Sequence, residues 1–224
     1  MTDAELDELK DGIRTRDRRA LARSITLLES TRPSHRDQAE SLLTALLPDV
    51  GMSFRIGITG VPGSGKSTLL AKLAIRLRAA GRRVGIIAVD PTSPFSGGSI
   101  LGDRIRMNDL ATDPGMFIRS MATRGSLGGL AATSKEVIDL MDAFGLVRLL
   151  IETVGVGQTE LEITGAADTV VVVLVPESGD GIQAMKAGLM EIADIFVVNK
   201  ADRPGADRVF GDLRAALHLR AGKA

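Results

Sequence analysis

Gly60-Val61-Pro62-Gly63-Ser64-Gly65-Lys66-Ser67 fits the pattern G-x-x-x-x-G-K-[S/T] at every position. It follows an apolar run at 54–59 and opens an amphipathic run at 66–80. A strand that turns through glycines into a helix is the setting this pattern requires. Glycines let successive backbone N–H groups curl around a phosphate, and the helix N-terminus adds partial positive charge. Lys66 places a point charge on the β- and γ-phosphates. The Ser67 hydroxyl is a ligand for Mg²⁺, and Thr68 reaches the α-phosphate.

Outward from this loop, short β-rich runs alternate with longer helical ones. The spacing predicts strands at 54–59, 84–90, 116–120, 147–152, 169–175 and 195–199. It predicts helices at 66–80, 102–110, 128–144, 182–192 and 206–218. Alternation of apolar strands with helices predicts an α/β fold: a mostly parallel sheet covered by helices on both faces. Ligands of such sheets bind at the carboxyl ends of the strands. The first 51 residues read differently, as helices only. Thr2 and Glu5 form a capping box. Leu21, Ile25 and Leu28 share a helical face. Ser34 and Asp37 are expected to cap a helix carrying Ala39, Leu42, Leu43 and Leu46, and Pro48 and Gly51 end the helical region. Two units follow: an N-terminal helical extension over 1–51 and a P-loop domain over 52–224. A cap packed on the main domain is the simpler reading of the extension, and a partner-binding arm is the other.

Magnesium takes oxygen ligands, so carboxylates at strand ends near the loop are its candidate partners. Asp90 closes the second strand. Glu152 closes 149–152 and begins Glu152-Thr-Val-Gly155, similar to the D-x-x-G of GTPases, whose glycine N–H senses the γ-phosphate. The extra methylene of Glu moves its carboxylate outward, toward contact through water. Asp103 lies in a glycine-rich segment able to order over the γ-phosphate.

The run at 195–198 ends in Asn199-Lys200-Ala201-Asp202. Guanine presents N1–H and its 2-amino group as paired donors, which one carboxylate accepts together. Adenine has an unprotonated N1 and no 2-amino group, so a carboxylate there loses its partners. Asp202 is therefore the selectivity residue. Asn199 is suited to the N7 side of the purine and to bracing the P-loop, and the Lys200 stem to lying over the base.

Composition narrows the alternatives. Lys+Arg and Asp+Glu both number 28, which argues against a general nucleic-acid or membrane-surface binder. There is no cysteine and there are two histidines, His35 and His218, which excludes thiolate and histidine-rich metal sites. No apolar run approaches the roughly 20 residues that span a bilayer. Residues 1–10 lack a signal-peptide core. A cytoplasmic location, with no nucleic-acid or membrane partner, is the expectation.

The stretches 57–68, 89–107, 124–130, 151–158 and 176–188 together resemble the MeaB/ArgK group of P-loop GTPases, which has a SIMIBI-like fold. The resemblance implies a G-protein chaperone for an adenosylcobalamin-dependent acyl-CoA mutase of the methylmalonyl-CoA mutase type. In this group GTP binding and hydrolysis gate cofactor loading and protect the mutase. It implies that Lys66 and Ser67 hold phosphate and Mg²⁺, and that Asp90, Asp103 and Glu152 are the acids of the metal site. Asn199, Lys200 and Asp202 become the base readers. Asp180, Gln183 and Lys186 fall in the switch loop that meets the mutase. Members of the group usually continue with another strand and a helical arm used for homodimerisation, which the sequence to Ala224 does not contain. Gln158, Arg104, Arg106 and Arg124 are candidates to orient the attacking water. The rival readings are a metallochaperone-type GTPase, an ATP-dependent transport-system kinase and a truncated binding protein that does not hydrolyse nucleotide.

Overall fold

The computed structural model describes residues 2–90, 112–122, 132–153, 163–176 and 188–221. Of residues 3, 90, 122, 132 and 219–221 it describes the backbone only. The chain begins with helices α1 (Asp3–Arg14), α2 (Arg18–Leu28) and α3 (Pro33–Leu46) and a 3₁₀ turn, Leu47–Asp49. There follow β1 (Phe54–Gly60), α4 (Lys66–Ala79), β2 (Val84–Asp90), β3 (Met116–Ala122), α5 (Ala132–Ala143) and β4 (Arg148–Thr153). Then come β5 (Thr169–Leu174), the single turn α6 (Leu189–Ile192), β6 (Ile195–Val198) and α7 (Ala206–Ala221). Among the described residues, all five pairings are parallel, and the six strands run in the order β3-β2-β4-β1-β5-β6.

The capping box forms as expected: the Thr2 amide donates to Glu5 Oε2 at 2.7 Å, and the Glu5 amide to Thr2 Oγ1 at 3.3 Å. The start of α3 differs. Its N-cap is Arg32 with Pro33 in the first turn, and neither Ser34 nor Asp37 caps it. Proline carries the right φ for a first turn and lacks the N–H that a cap would satisfy, so it sets the boundary. The helix expected over 182–192 is seen as 189–192; 182–187 and the helix expected at 102–110 lie outside the described residues.

Alternation along the strands sorts side chains onto two faces. Ile58, Ile86, Leu150, Val171 and Val173 pack with Leu70 and Ala74 of α4. Their neighbours Ile87, Leu149, Ile151, Val170 and Val172 pack on the opposite face, in a core shared with α5 and with Val209 and Leu213 of α7. That core also takes in Leu9 and Ile13 of α1, Leu21 and Ile25 of α2, and Leu42 and Leu46 of α3, all at most 1% exposed. Burial of each such side chain contributes roughly 1.5–3 kcal/mol.

Polar ties hold the helices to the sheet. Arg18 of α2 donates to the carbonyls of Asp113, Pro114 and Met116, and its guanidinium lies 5.6 Å from the centroid of the Phe117 ring. At the same corner Arg78 of α4 makes two hydrogen bonds, each 2.9 Å, to the carboxylate of Asp113. The Arg78 bond, then the Gly115 amide, hold the Asp113 carboxyl below its ordinary range. A carboxyl lowered by folding adds stability above its unfolded pKa of about 3.9 and loses it as pH falls through the folded value. The stability gap between the native chain and Asp113→Asn, followed by thermal denaturation, should therefore narrow as pH drops below about 4. A gap that is constant down to pH 2 refutes this reading of the corner.

Candidate functional site

The loop between β1 and α4 is built by its glycines. Gly60 has φ +135°, and a Cβ there would collide with the backbone of Val173 on the neighbouring strand. Gly65 has φ +91°, and a Cβ there would crowd Asn199 Nδ2. Side chains are thus excluded twice, by conformation and by space. Gly65 also offers α4 no side-chain cap, so the leading N–H groups of the helix stay available to an anion.

Lys66 is 6% exposed and arches back over the loop, donating to the carbonyls of Gly60 at 2.8 Å and Val61 at 3.1 Å. A buried ammonium is held in place this way beside the helix terminus. Ser67 Oγ donates to Glu152 Oε1 at 2.7 Å. Strand alternation explains the pairing: Glu152 shares the parity of Leu150 and so points to the α4 side, where Ser67 lies. Thr68 is exposed on the first turn of α4. On the other parity Thr153 donates to Thr59 Oγ1 at 3.0 Å in a buried bond that joins the ends of β4 and β1. The sequence reading does not single out this pair, although a threonine closing the strand before the loop and another just past the strand at 147–152 are a usable signal.

The loop after β6 is strapped onto the P-loop. Asn199 Nδ2 donates to the Ser64 carbonyl at 2.7 Å, and Lys200 Nζ donates to the Gly63 carbonyl at 2.9 Å. Lys200 has φ +55°, a left-handed conformation, and turns the chain so that Asp202 follows as an exposed carboxylate. Asp202 has no hydrogen bond or ion pair among the described residues and is open to a ligand. Val61, Pro62 and Gly63 form the outer rim of the loop, all partly or fully exposed.

The structure thus brings together Gly60, Ser64, Gly65, Lys66, Ser67, Glu152, Asn199 and Lys200. The backbone of Asp90 ends β2 beside β4, with Val89 in register with Thr153. The Asp90 side chain lies outside the described residues. So do Asp103, Gly155, Asp180, Gln183 and Lys186, and also Arg104, Arg106, Arg124 and Gln158.

A parallel sheet whose central strand runs through a glycine loop into a helix, with an N-K-x-D turn strapped onto that loop, defines a P-loop α/β protein. The family described as methylmalonyl-CoA mutase-associated GTPase MeaB matches residues 21–224, and this chain belongs to it. A Pyrococcus abyssi protein that carries a GTPase name is 54% identical over 218 residues, 97% of this chain and 66% of its own length. The Escherichia coli GTPase ArgK is 43% identical over 90% of this chain and 61% of its own. The mouse methylmalonic aciduria type A homolog, a mitochondrial protein, is 40% identical over 88% of this chain and 50% of its own. Among solved structures, a "LAO/AO transport system kinase" aligns over the whole chain and 64% of its own, with a TM-score of 0.75 and 33% identity. The chain thus spans less than two thirds of the length of these relatives. Among the described residues, no helix is long and apolar enough to cross a membrane.

Proposed function

We propose that this chain binds GTP, hydrolyses it to GDP and phosphate, and serves as a G-protein chaperone for an adenosylcobalamin-dependent acyl-CoA mutase. The observation that carries the nucleotide reading is the strap: Asn199 and Lys200 of the base loop bond directly to carbonyls of the phosphate loop. A base and a phosphate chain bound to one rigid unit are read together. Asp202, exposed beside it and without a bond among the described residues, accepts the N1–H and 2-amino donors of guanine.

The paired oxygens of Ser67 and Glu152 suit a hard divalent cation such as Mg²⁺. Asp90 and Asp103 complete the proposed acid set. Bound there, Mg²⁺ neutralises charge on the β- and γ-phosphates. Lys66 adds its own charge to the transferring group, and Glu152 orients the Ser67 hydroxyl, which is free to give up its hydrogen bond to the carboxylate. The loop glycines bring N–H groups against the phosphate oxygens. Thr68 reaches the α-phosphate, and Gly155 reports the γ-phosphate to the segment that follows β4. Asp180, Gln183 and Lys186 belong to the surface that meets the mutase. The family name supports the mutase as partner. Cytoplasmic placement and a homodimer formed by a longer version of the chain belong to the same reading.

The transport-kinase title of the solved structure offers a second reading. The N-K-A-D turn and its exposed Asp202 favour a guanine nucleotide instead. Competition of GTP and ATP against a fluorescent GDP analogue, with and without Mg²⁺, separates the two. GTP should displace the analogue at far lower concentration than ATP. Lys66→Ala should weaken GDP binding by on the order of 100-fold, the loss of about two charge-assisted contacts of 1.5 kcal/mol each. Equal displacement by ATP ends the GTP reading. Phosphate release that is slow alone and rises when such a mutase is added supports the chaperone role; release unaffected by any cobalamin mutase removes it.

A further inference from the structure

The N-terminal helices border an open, solvent-facing cavity of about 730 Å³, a size that holds a small organic ligand. It shares no residue with the nucleotide site. Leu9 of α1 and Leu27 of α2, 1% and 7% exposed, give it an apolar floor. Its polar lining is unbalanced in charge. Arg32, at the start of α3, is exposed and has no ion pair among the described residues. Arg23 has a loose contact with Glu8 at 3.8 Å. His35 is half-buried, with Nδ1 against Ser30 Oγ at 2.8 Å, which fixes the ring in the wall. Among the described residues, the one acid of the lining, Glu29, is bonded to Arg119 of β3 and so is already neutralised. Arg32 and a fixed imidazole, with Arg23 only loosely engaged by Glu8, thus face an apolar floor, and the described lining residues bring no unpaired carboxylate to oppose them. Such a setting attracts anionic oxygens and accommodates a hydrocarbon body.

The geometry points to a second binding site in this cavity, for a small molecule with an apolar body and an anionic head, a carboxylate or a phosphate monoester. Arg32 and Arg23 hold the head, and Leu9 and Leu27 receive the body. Glu29 sits between this cavity and β3, so an occupant touches the same residue that ties the helices to the sheet edge.

The test uses octyl phosphate, octanoate and the uncharged octanol with the full chain. Binding is followed by NMR of its two histidines, His35 in the cavity wall and His218 on α7. Saturable shifts of His35 but not His218 are expected with both anions, with octanol at least 10-fold weaker. Arg32→Glu should weaken octyl phosphate by at least 10-fold while leaving GDP binding unchanged; Arg32 is exposed, so the core stays intact, and circular dichroism verifies this. Octanol binding as tightly as the anions overturns the anionic site, and inorganic phosphate binding as tightly as octyl phosphate overturns the apolar body. No saturable shift of His35 overturns the site altogether. GDP binding by the same samples reports on the nucleotide site separately.

Discussion

Asp202→Asn should exchange guanine for xanthine as the preferred base. The carboxylate of Asp202 is exposed, without a partner among the described residues, at the end of the turn that Lys200 makes in left-handed conformation. Against guanine, in the proposed base site, it would accept two hydrogen bonds, from N1–H and the 2-amino group. An asparagine amide offers one acceptor and one donor. Its donor then faces the 2-amino donor of guanine, and one strong bond becomes a clash of like groups. Xanthine carries a carbonyl in place of that amino group, and the same amide matches it. Each charge-assisted bond contributes about 1.5–3 kcal/mol, so GTP affinity should fall roughly 100-fold and XTP affinity rise by a similar factor. The strap is untouched, because Asn199 and Lys200 bond to the P-loop through their own side chains. Competition against a fluorescent GDP analogue measures both changes. A variant that loses GTP without gaining XTP removes Asp202 from the base site and leaves it a residue of the turn.

Asp142→Ala should be the most damaging substitution to stability that this structure identifies. Asp142 is on α5 with its side chain fully buried. Its oxygens accept from the amides of Gly51 at 2.9 Å, Met52 at 3.2 Å and Ser53 at 2.9 Å. They also accept from Arg55 Nη2 at 3.1 Å, and the same Nη2 bonds Asp139 at 2.8 Å. Burial pulls the Arg55 guanidinium down, but hydrogen bonds first to Asp142 and then to Asp139 outweigh it and hold it above its ordinary range. One carboxylate therefore anchors the whole linker between the N-terminal helices and β1. Its removal leaves a partly buried cation short of a partner and three amides without acceptors. Loss of one member of a buried ion pair costs about 3–5 kcal/mol. At about 2–4 °C per kcal/mol for a chain of this size, melting should fall by about 10 °C. Asp142→Asn, which keeps one acceptor, should lose less. A fall below about 2 °C for the alanine variant means that water replaces these bonds, and the linker is then not held by this residue.

The sheet was legible in the sequence nearly to the residue. Strands expected at 54–59 and 84–90 are Phe54–Gly60 and Val84–Asp90, and β5 and β6, expected at 169–175 and 195–199, are each one residue shorter. Strands buried on both faces read as unbroken apolar runs, and such runs are visible without knowing their neighbours. The P-loop was legible for a different reason. Its glycines answer to backbone dihedrals set within the loop itself, and Lys66 bonds to carbonyls five and six residues away. The start of α3 lies ahead of Ser34 and Asp37, the caps that the sequence suggests, because Pro33 immediately before them sets the first turn.

Local forces, then, let the sequence by itself determine the strand runs, the phosphate loop, the base tetrad and the capping box at Thr2. What only the tertiary structure decided are pairings between residues distant along the chain. Ser67 meets Glu152 across 85 positions, Thr59 meets Thr153 across 94, and Asn199 meets Ser64 across 135. Each depends on the strand order β3-β2-β4-β1-β5-β6, which places β4 and β5 on either side of β1. No run of neighbouring residues carries that order. It emerges when helices must cover both faces of a twisted parallel sheet at once, and Glu152 reaches Ser67 because it lies on the face that α4 covers.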